Sequence, residues 1–452
     1  MEHSLENLIV QLNDFDYTKR KNALNNIVSK RLVAFPASGI NVNMHFHSFF
    51  SYNAEDYSPS RIAFEAKRSA LYAAGLCDFD VLDGLEEFFY AGLLLKLRTT
   101  VNMETRAYLR EFSDVDINSP GEPGVTYIMG AAFPFIPSPE SQEAKELSLY
   151  KERAKSRNIA LIERINPYMD DVAISYEDDV LPLTPSGNAT ERHIVKAYIH
   201  KAICLFETPD KVAEFWSERL GKKSEEIIEI MTDKPLFEET VRARLVKKGG
   251  IGYQQPSPTT FPPVDDFIRV IKKGNAIPMI TWLDGTSRGE ENAAEMLECL
   301  VAKGCCALNI IPDRNWNISD PARKKIKMEK LREIVQEASK RYLPINIGTE
   351  MNKQGLPFTD NLSCEALLPY RDVFLEGAKV MVGHTLLTKY AGFTYTGDAA
   401  SSEFPDKSKR NKFFAAVGAL PPIDLSIDSY LKEIGKERAM KWFYDMVKKQ
   451  TN

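Results

Sequence analysis

The sequence predicts an α/β fold, namely a distorted TIM-like βα barrel with an inserted helical subdomain. Two features predict it. From about residue 35 to 135, and again after about residue 270, short apolar runs alternate with amphipathic segments of helix length, as in βα units. Between these two stretches lie long charged segments with helical spacing and few strand-like runs.

We therefore expect four parts along the chain. Residues 1–137 would form an N-terminal helix and the first half of the barrel, and residues 138–260 the helical insertion. Residues 261–400 would form the second half of the barrel, and residues 401–452 a C-terminal helical tail that packs on it.

In the first half, NVNMHFHSFF predicts the first strand. Ser58 as a cap, Pro59 in the first turn and Gly75 as a stop signal predict a helix between them. CDFDVL predicts the end of a second strand, GLEEFFYAGLLLKL a second helix, and TTVNMETRAYL and TYIMGAAFPF two further strands of the same parallel pattern.

In the second half, NAIPMITWLDG, CALNIIPDRNWN and PINIGTEMN predict strands, with helix-length segments between them. His384 follows another short apolar run and would lie at a further strand end or serve a structural role. SYLKEIGKERAMKWFYDMVKKQ predicts one terminal helix.

Composition excludes several classes of protein. With 58 Lys+Arg against 63 Asp+Glu, a net charge of −5 and no run of five basic residues, the chain lacks the features of a nucleic-acid-binding protein. Its six cysteines show no C-x-x-C spacing, so neither a zinc-thiolate site nor a disulfide scaffold is indicated. No secretory signal or membrane span is apparent, so we expect a cytoplasmic protein without a membrane partner.

His45 and His47 lie at the polar end of the first predicted strand, in MHFHS. Alternation along a strand places both imidazoles on one side, where both can bind one ion. Because the chain has six histidines, two at this spacing are informative. The alternative is a pair of polar residues that simply end a strand.

Acidic residues also follow predicted strands: Asp78 and Asp80 the second, Glu104 the third, and Asp284 and Glu350 later ones. In a βα barrel these strand ends converge on one mouth. Carboxylates there repel one another unless a cation compensates them. Histidine and carboxylate without cysteine form the ligand set of Zn, Mn or Fe at a hydrolytic site.

This arrangement resembles the polymerase and histidinol phosphatase (PHP) superfamily of metal-dependent phosphoesterases, over about residues 38–135 and 270–355. His45 and His47 match the H-x-H of the family's first strand. AAGL-CDFDVLDG is similar to its second motif, with Asp78 at the acid, and Glu104 in VNMETRAY matches its bridging glutamate.

LPINI-GTEMN looks like the family's closing G-S-D-x-H motif, which places Glu350 at the acid and Asn352 at the histidine. Phe79 replaces the histidine of the second motif, and the segment from Trp282 to Asp284 stands where the family has H-P. The resemblance, with these departures, implies one or two metal ions rather than three.

The insertion offers a further histidine. In LPLTPSGNATERHIVKAYIHKA, Thr190 is a predicted N-cap, so Arg192 and His193 would lie near a helix N-terminus. His193 would supply a missing metal ligand, and Arg192 with the backbone N–H groups would suit an anionic group. The alternative is a capped structural helix.

Arg106, Arg288 and Arg314 follow predicted strand ends, where a guanidinium can hold a phosphate or carboxylate through two bonds. Each is alternatively a surface salt-bridge residue. GGIGYQQPSPTTFPP is rich in turn formers and would either cover the mouth, with Tyr253 reaching inward, or act as a plain linker.

Together these features predict a metal-dependent hydrolase, specifically a phosphoesterase acting on a small anionic substrate through a metal-activated water. One or two Zn, Mn or Fe ions would be the cofactor. The predicted metal ligands are His45, His47, Asp78, Glu104, His193, Glu350 and Asn352. Asp284 and Asp80 would transfer protons, and Arg106, Arg192, Arg288, Arg314 and Tyr253 would bind the substrate.

Two alternatives stay open. The same ligands would polarise a sugar carbonyl in a metal-dependent isomerase or lyase. A non-catalytic PHP-like protein that binds a small anion would account for the replaced histidines.

Overall fold

The structure is a computed structural model that describes residues 4–451. Seven strands form one sheet in chain order, and a backbone bridge from Phe46 to Glu350 joins its two edges. The strands are β1 (Val42–Phe46), β2 (Ala73–Phe79), β3 (Arg98–Tyr108), β4 (Val125–Ala131), β5 (Ile277–Trp282), β6 (Ala307–Ile310) and β7 (Ile345–Ile347). The predicted α/β barrel is therefore confirmed as a nearly closed seven-stranded barrel.

Helices surround the sheet and build the insertion. The helices are α1 (Leu5–Gln11), α2 (Tyr17–Ser29), α3 (Pro59–Arg68), α4 (Leu85–Leu95), α5 (Gln142–Met169), α6 (Glu191–Phe206), α7 (Pro209–Leu220), α8 (Ser224–Thr232), α9 (Lys234–Leu245), α10 (Val264–Lys273), α11 (Ala293–Lys303), α12 (Asp313–Trp316), α13 (Pro321–Lys340), α14 (Arg371–Leu386), α15 (Asp398–Glu403), α16 (Lys407–Gly418), α17 (Leu425–Ile434) and α18 (Lys436–Thr451). Within residues 4–451, no helix combines the length and apolar character that a membrane span requires.

Strand β4 departs from the expected parallel pattern, since it pairs antiparallel with both β3 and β5. The connection from β3 to β4, residues 109–124, contains no α-helix, only a short 3-10 turn, Arg110–Phe112. Parallel neighbours are usually joined by a crossover helix, and without one the chain turns back along β3. The other neighbouring strands pair in parallel.

Strand β1 contains a bulge. Asn43 pairs with Ala74 and Phe46 with Leu76, so two β1 residues, Met44 and His45, lie opposite a single β2 residue. That residue is Gly75, where a Cβ atom would lie only 2.6 Å from the Met44 carbonyl oxygen. The predicted helix end at Gly75 is thus wrong: α3 ends at Arg68, and the glycine makes room for the bulge inside β2.

Buried asparagines satisfy the backbone around the bulge. The Met44 carbonyl accepts hydrogen bonds from the side-chain amides of Asn102 at 2.9 Å and Asn346 at 3.4 Å. Asn102 also accepts one from the Ala132 N–H at 2.8 Å. Since an unpaired buried carbonyl or N–H is costly, these polar residues belong to the barrel's structure as much as its apolar residues do.

Two apolar cores are present among the described residues. One fills the barrel and the space beneath its surrounding helices, and the other lies within the insertion, between α5 and helices α6 to α9. The N-terminal helix α2 is anchored to the barrel by Arg20, which is buried and forms an ion pair with Glu87 of α4.

The C-terminal part differs from prediction in two ways. The expected single terminal helix is two, α17 and α18, separated by Gly435 at φ 76°. His384 does not end a strand: it lies within α14, where its Nδ1 accepts from the Tyr395 N–H at 3.0 Å. Its Nε2 lies 2.9 Å from the Asn275 carbonyl, so the structural alternative for His384 is confirmed.

We predict that replacing Asn102 by leucine destabilises the barrel by about 2–4 kcal/mol, because it leaves the Ala132 N–H and the Met44 carbonyl short of partners at about 1–3 kcal/mol each. Urea unfolding measures the change. The control is Asn22→Leu on the exposed surface of α2, which should change stability by less than about 0.5 kcal/mol. Equal effects of the two substitutions would contradict the assigned role.

Candidate metal centre

Three predicted ligands meet at the mouth of the barrel. His45 is at the end of β1, His47 follows it, and Glu104 is on β3. The Glu104 Oε2 lies 3.6 Å from His45 Nε2 and 3.8 Å from His47 Nε2. One donor atom from each residue lies within 4.8 Å of the other two. This spacing allows all three to bind one ion.

The donor atoms are buried and lack other partners. His45, His47 and Glu104 are 1%, 0% and 4% exposed. Both ring nitrogens of His45 and the Nε2 of His47 have no hydrogen-bond partner among the described residues. Because unpaired buried polar atoms are rare, and because nitrogen and carboxylate oxygen are a metal-binding donor set, these residues fit a divalent ion.

The pKa values of the two histidines shift in opposite directions. Burial and the neighbouring His45 lower the pKa of His47 to about 3, so its ring is neutral at neutral pH. Burial lowers the pKa of His45 as well, but the Glu104 carboxylate outweighs it and the net shift is upward. A bound cation would compete with that proton, since metal ligands must be deprotonated.

Ser51 fixes the orientation of the His47 ring. Its hydroxyl donates to Asp78 Oδ1 at 2.6 Å and lies 3.3 Å from His47 Nδ1. Because the hydroxyl proton is used by Asp78, we assign the proton of the imidazole to Nδ1, which donates to Ser51. The Nε2 lone pair of His47 then points at Glu104 and is free to bind a metal.

Asp78, a predicted ligand, is not part of this group. Its carboxylate accepts from the Ser48 N–H and hydroxyl, both at 2.7 Å, and from Ser51. Burial raises its pKa to about 6 although these hydrogen bonds lower it. Asp78 therefore lies on the Nδ1 side of His47, where its hydrogen bonds with Ser48 and Ser51 stabilise the segment that follows β1.

Glu350 and Arg314 form the opposite side of the site. The Glu350 backbone pairs with β1, accepting from the His47 N–H at 2.9 Å and donating to the His45 carbonyl at 2.8 Å. Its carboxylate lies 2.5 Å from Arg314 Nη2. Burial raises the pKa of Glu350, but Arg314 outweighs it and lowers the pKa to about 2. The charge of Glu350 is thus already compensated within the protein.

Glycine again makes room at this point. A Cβ atom at Gly348 would lie 2.4 Å from the His45 Cβ and 2.6 Å from its backbone nitrogen. Glu350 and Met351 follow with positive φ angles of 62° and 54°. Strained backbone of this kind is held in place only by surrounding structure and clusters at functional sites.

The site opens into a cavity of about 850 Å³, a size typical of pockets for small molecules. The cavity brings together many of the predicted residues. Those that line it are His45, Asp80, Glu104, Arg106, Arg192, Tyr253, Arg314, Glu350 and Asn352.

The predicted residues from the insertion take different positions. Arg192 lines the cavity and pairs with Glu239 at 2.7 Å. His193 does not line it: as part of the cap of α6 it accepts from the Thr190 N–H at 3.0 Å, which confirms the predicted N-cap. Tyr253 lines the cavity, and its hydroxyl donates to the Gly121 carbonyl at 2.6 Å.

Asp284 and Arg288 do not line the cavity either. Asp284 pairs with Lys327 at 2.7 Å and accepts from the Thr286 N–H at 2.9 Å. Burial raises the pKa of Asp284, but Lys327 and Thr286 outweigh it and lower the pKa. Arg288 is exposed. Asp80, the other predicted proton-transfer residue, does line the cavity and accepts a hydrogen bond from the Thr105 hydroxyl.

Sequence reasoning missed several residues of the site. Asn309 on β6 is 1% exposed, lines the cavity near His45, and has an Oδ1 without a partner among the described residues. Phe79, which the sequence identifies only as the replacement of a motif histidine, stacks on His47 with ring centroids 4.4 Å apart. Arg157 on α5 also lines the cavity. An asparagine in a strand and an arginine in a charged helix carry no signal that would have identified them.

No protein-family model and no curated protein matches this sequence. Two solved structures show a likeness. An inferred metal-dependent phosphoesterase from Bifidobacterium adolescentis has 17% identity and a TM-score of 0.47, covering 74% of this chain and 97% of its own. An amidohydrolase from Chromobacterium violaceum, with bound sulfate and no metal, has 14% identity and a TM-score of 0.47, covering 74% and 96%. The activities named belong to those proteins.

We predict that Arg314→Met destabilises the protein by about 1–3 kcal/mol, because the Glu350 carboxylate would stay buried without its cation. Adding Glu350→Gln should recover part of that loss in urea unfolding. The control is Arg371→Met, whose partner Asp372 is 84% exposed, and it should cost less than about 0.5 kcal/mol. A double variant no more stable than Arg314→Met alone would contradict the pairing.

Proposed function

We propose that the protein is a metal-dependent hydrolase and that it cleaves a phosphate ester, as the resemblance to the PHP superfamily implies. The observation that carries the proposal is the buried group of His45, His47 and Glu104, whose ring nitrogens at the site lack other partners. A divalent ion bound there would lower the pKa of a water molecule and neutralise charge on the group attacked.

We infer that the site holds one ion. Asp78 is occupied by Ser48 and Ser51, and Glu350 by Arg314, so neither carboxylate is free for a second ion. Phe79 takes the position of a motif histidine and covers His47 with its ring. The Asn309 Oδ1 is the further donor that would complete the coordination.

The chain's own residues would bind and position the substrate. Arg314 lines the cavity next to the ligand group, where its guanidinium can hold an anionic oxygen while Glu350 fixes its position. Asp80, one of the carboxyl groups of the cavity wall, would exchange a proton with the substrate. Asn188 of the insertion lines the cavity and is held to the barrel there, since it donates to the Phe50 carbonyl at 3.0 Å and the Phe79 carbonyl at 2.8 Å.

A non-catalytic anion-binding protein is the second candidate. It is favoured by the pairing of Glu350 with Arg314, because this carboxylate of the closing motif is neutralised by an arginine and needs no metal ion. The two candidates differ in whether metal binding is accompanied by turnover.

We expect one equivalent of Zn, Mn or Fe in protein purified without chelator, measured by elemental analysis. The double variant His45→Ala, Glu104→Ala should lose it, whereas His200→Ala, at an exposed position, should retain it. Metal-dependent release of phosphate from a panel of phosphorylated sugars and nucleotides would then support the phosphoesterase. Bound metal without turnover would favour the second candidate, and no metal after loading with Mn or Zn would overturn the metal site.

Ser51 provides a separate test of the ring orientation. Ser51→Ala should weaken metal affinity by about 10- to 100-fold, the usual effect of losing a group that orients a ligand histidine, while the bound metal still reaches one equivalent at saturation. Titration with Mn followed by elemental analysis measures both quantities. Affinity unchanged from the parent would show that Ser51 does not orient His47.

A further inference from the structure

The cavity wall away from the ligand group is strongly basic. Apart from Arg314, eight basic and four acidic side chains line it. The basic residues are Arg106, Arg153, Arg157, Arg164, Arg192, Arg242, Lys247 and Lys248, and the acidic residues are Asp80, Glu122, Glu152 and Glu191. All the basic residues except Arg106 come from the insertion, so this subdomain presents a cationic surface to whatever enters the cavity.

Four of these eight cations, Arg106, Arg192, Arg242 and Lys247, form an ion pair with a carboxylate. Arg106 pairs with Glu122 at 3.0 Å, and Lys247 pairs with Glu191 at 3.0 Å. Arg157 on α5 is among the other four. Its hydrogen bond within the described structure is to the Thr260 carbonyl at 3.4 Å, and no carboxylate forms an ion pair with it there. A partly buried guanidinium with one long hydrogen bond retains most of its donors for a ligand.

Arg157 shares an aromatic contact with a second guanidinium group, that of Arg106. The Arg157 and Arg106 groups both pack on the ring of Phe261, at 4.7 and 4.5 Å from its centroid. Burial and the charge of Arg106 lower the pKa of Arg157 to about 10, so it remains charged at neutral pH. Asp80 and Glu122 offset part of this repulsion. An anion held between the two guanidinium groups would remove more of it.

We propose that Arg157 and Arg106, fixed by Phe261, form an oxyanion subsite that binds a second anionic group of the substrate, apart from the group at the metal centre. A guanidinium group can donate two parallel hydrogen bonds to a phosphate or to a carboxylate, so this subsite would accept either group. The substrate class is thus a small molecule with two anionic groups. This step rests on the proposed function, since one cavity holds both the subsite and the ligand group.

The subsite can be tested without the metal. We would titrate inorganic phosphate, and separately malonate, into the full chain carrying His45→Ala and Glu104→Ala, by calorimetry. Adding Arg157→Met should weaken binding of the preferred anion about tenfold or more, the effect of losing charge-assisted hydrogen bonds. Preference for phosphate or for malonate identifies the second group as a phosphate or a carboxylate.

Arg332→Met is the matched control, since Arg332 on α13 is exposed, does not line the cavity, and its replacement removes the same charge. It should change affinity less than about twofold. Arg157→Lys, which keeps the charge and loses the fork, should fall between the two and serves if Arg157→Met does not fold. Absence of binding by either anion, or equal losses in Arg332→Met and Arg157→Met, would overturn the subsite. Neither outcome depends on whether the metal site exists.

Discussion

The bulge in β1 forces a backbone carbonyl, that of Met44, out of the regular ladder and into the interior of the barrel. Its hydrogen bonds must then come from side chains, and Asn102 and Asn346 supply them. Space must come from residues without a Cβ, which are Gly75 on one side and Gly348 on the other. The candidate metal centre depends on this constraint, because His45 is itself one of the two bulged residues.

The carboxylates around the mouth of the barrel differ in the side chains that bind them. Asp78 accepts from two serines, Asp284 pairs with Lys327, and Glu350 pairs with Arg314. Glu104 has no lysine or arginine partner among the described residues, and the groups nearest to it are the two imidazoles. A buried charge without a counter-charge is unfavourable, so Glu104 is the carboxylate whose surroundings favour a bound cation.

Sequence reasoning succeeded where one local pattern has one physical meaning. H-x-H on a strand and an acid at a strand end led to His45, His47 and Glu104, which the structure brings together. It failed where one residue type is compatible with two structures. A glycine can mark a helix end or a bulge: the sequence predicts a helix end at Gly75, whereas the structure has a bulge opposite it. Parallel pairing of β4 was expected because strand signals alone do not reveal the direction of a strand. Arg157 was missed because its role depends on packing against Phe261, more than a hundred residues away in the chain.

Barrel and insertion contribute different chemistry to one cavity. The ligand group lies on strands that hydrogen bonds and two glycines hold in place, as a metal site with short, fixed distances requires. The cationic wall lies on helices with a separate apolar core. If the proposed function holds, substitutions in α5 would change which anions fit without disturbing the bulge, whereas substitutions near Met44 would affect the ligand group directly. Substrate choice and metal binding would then be carried by separately stabilised parts of the chain.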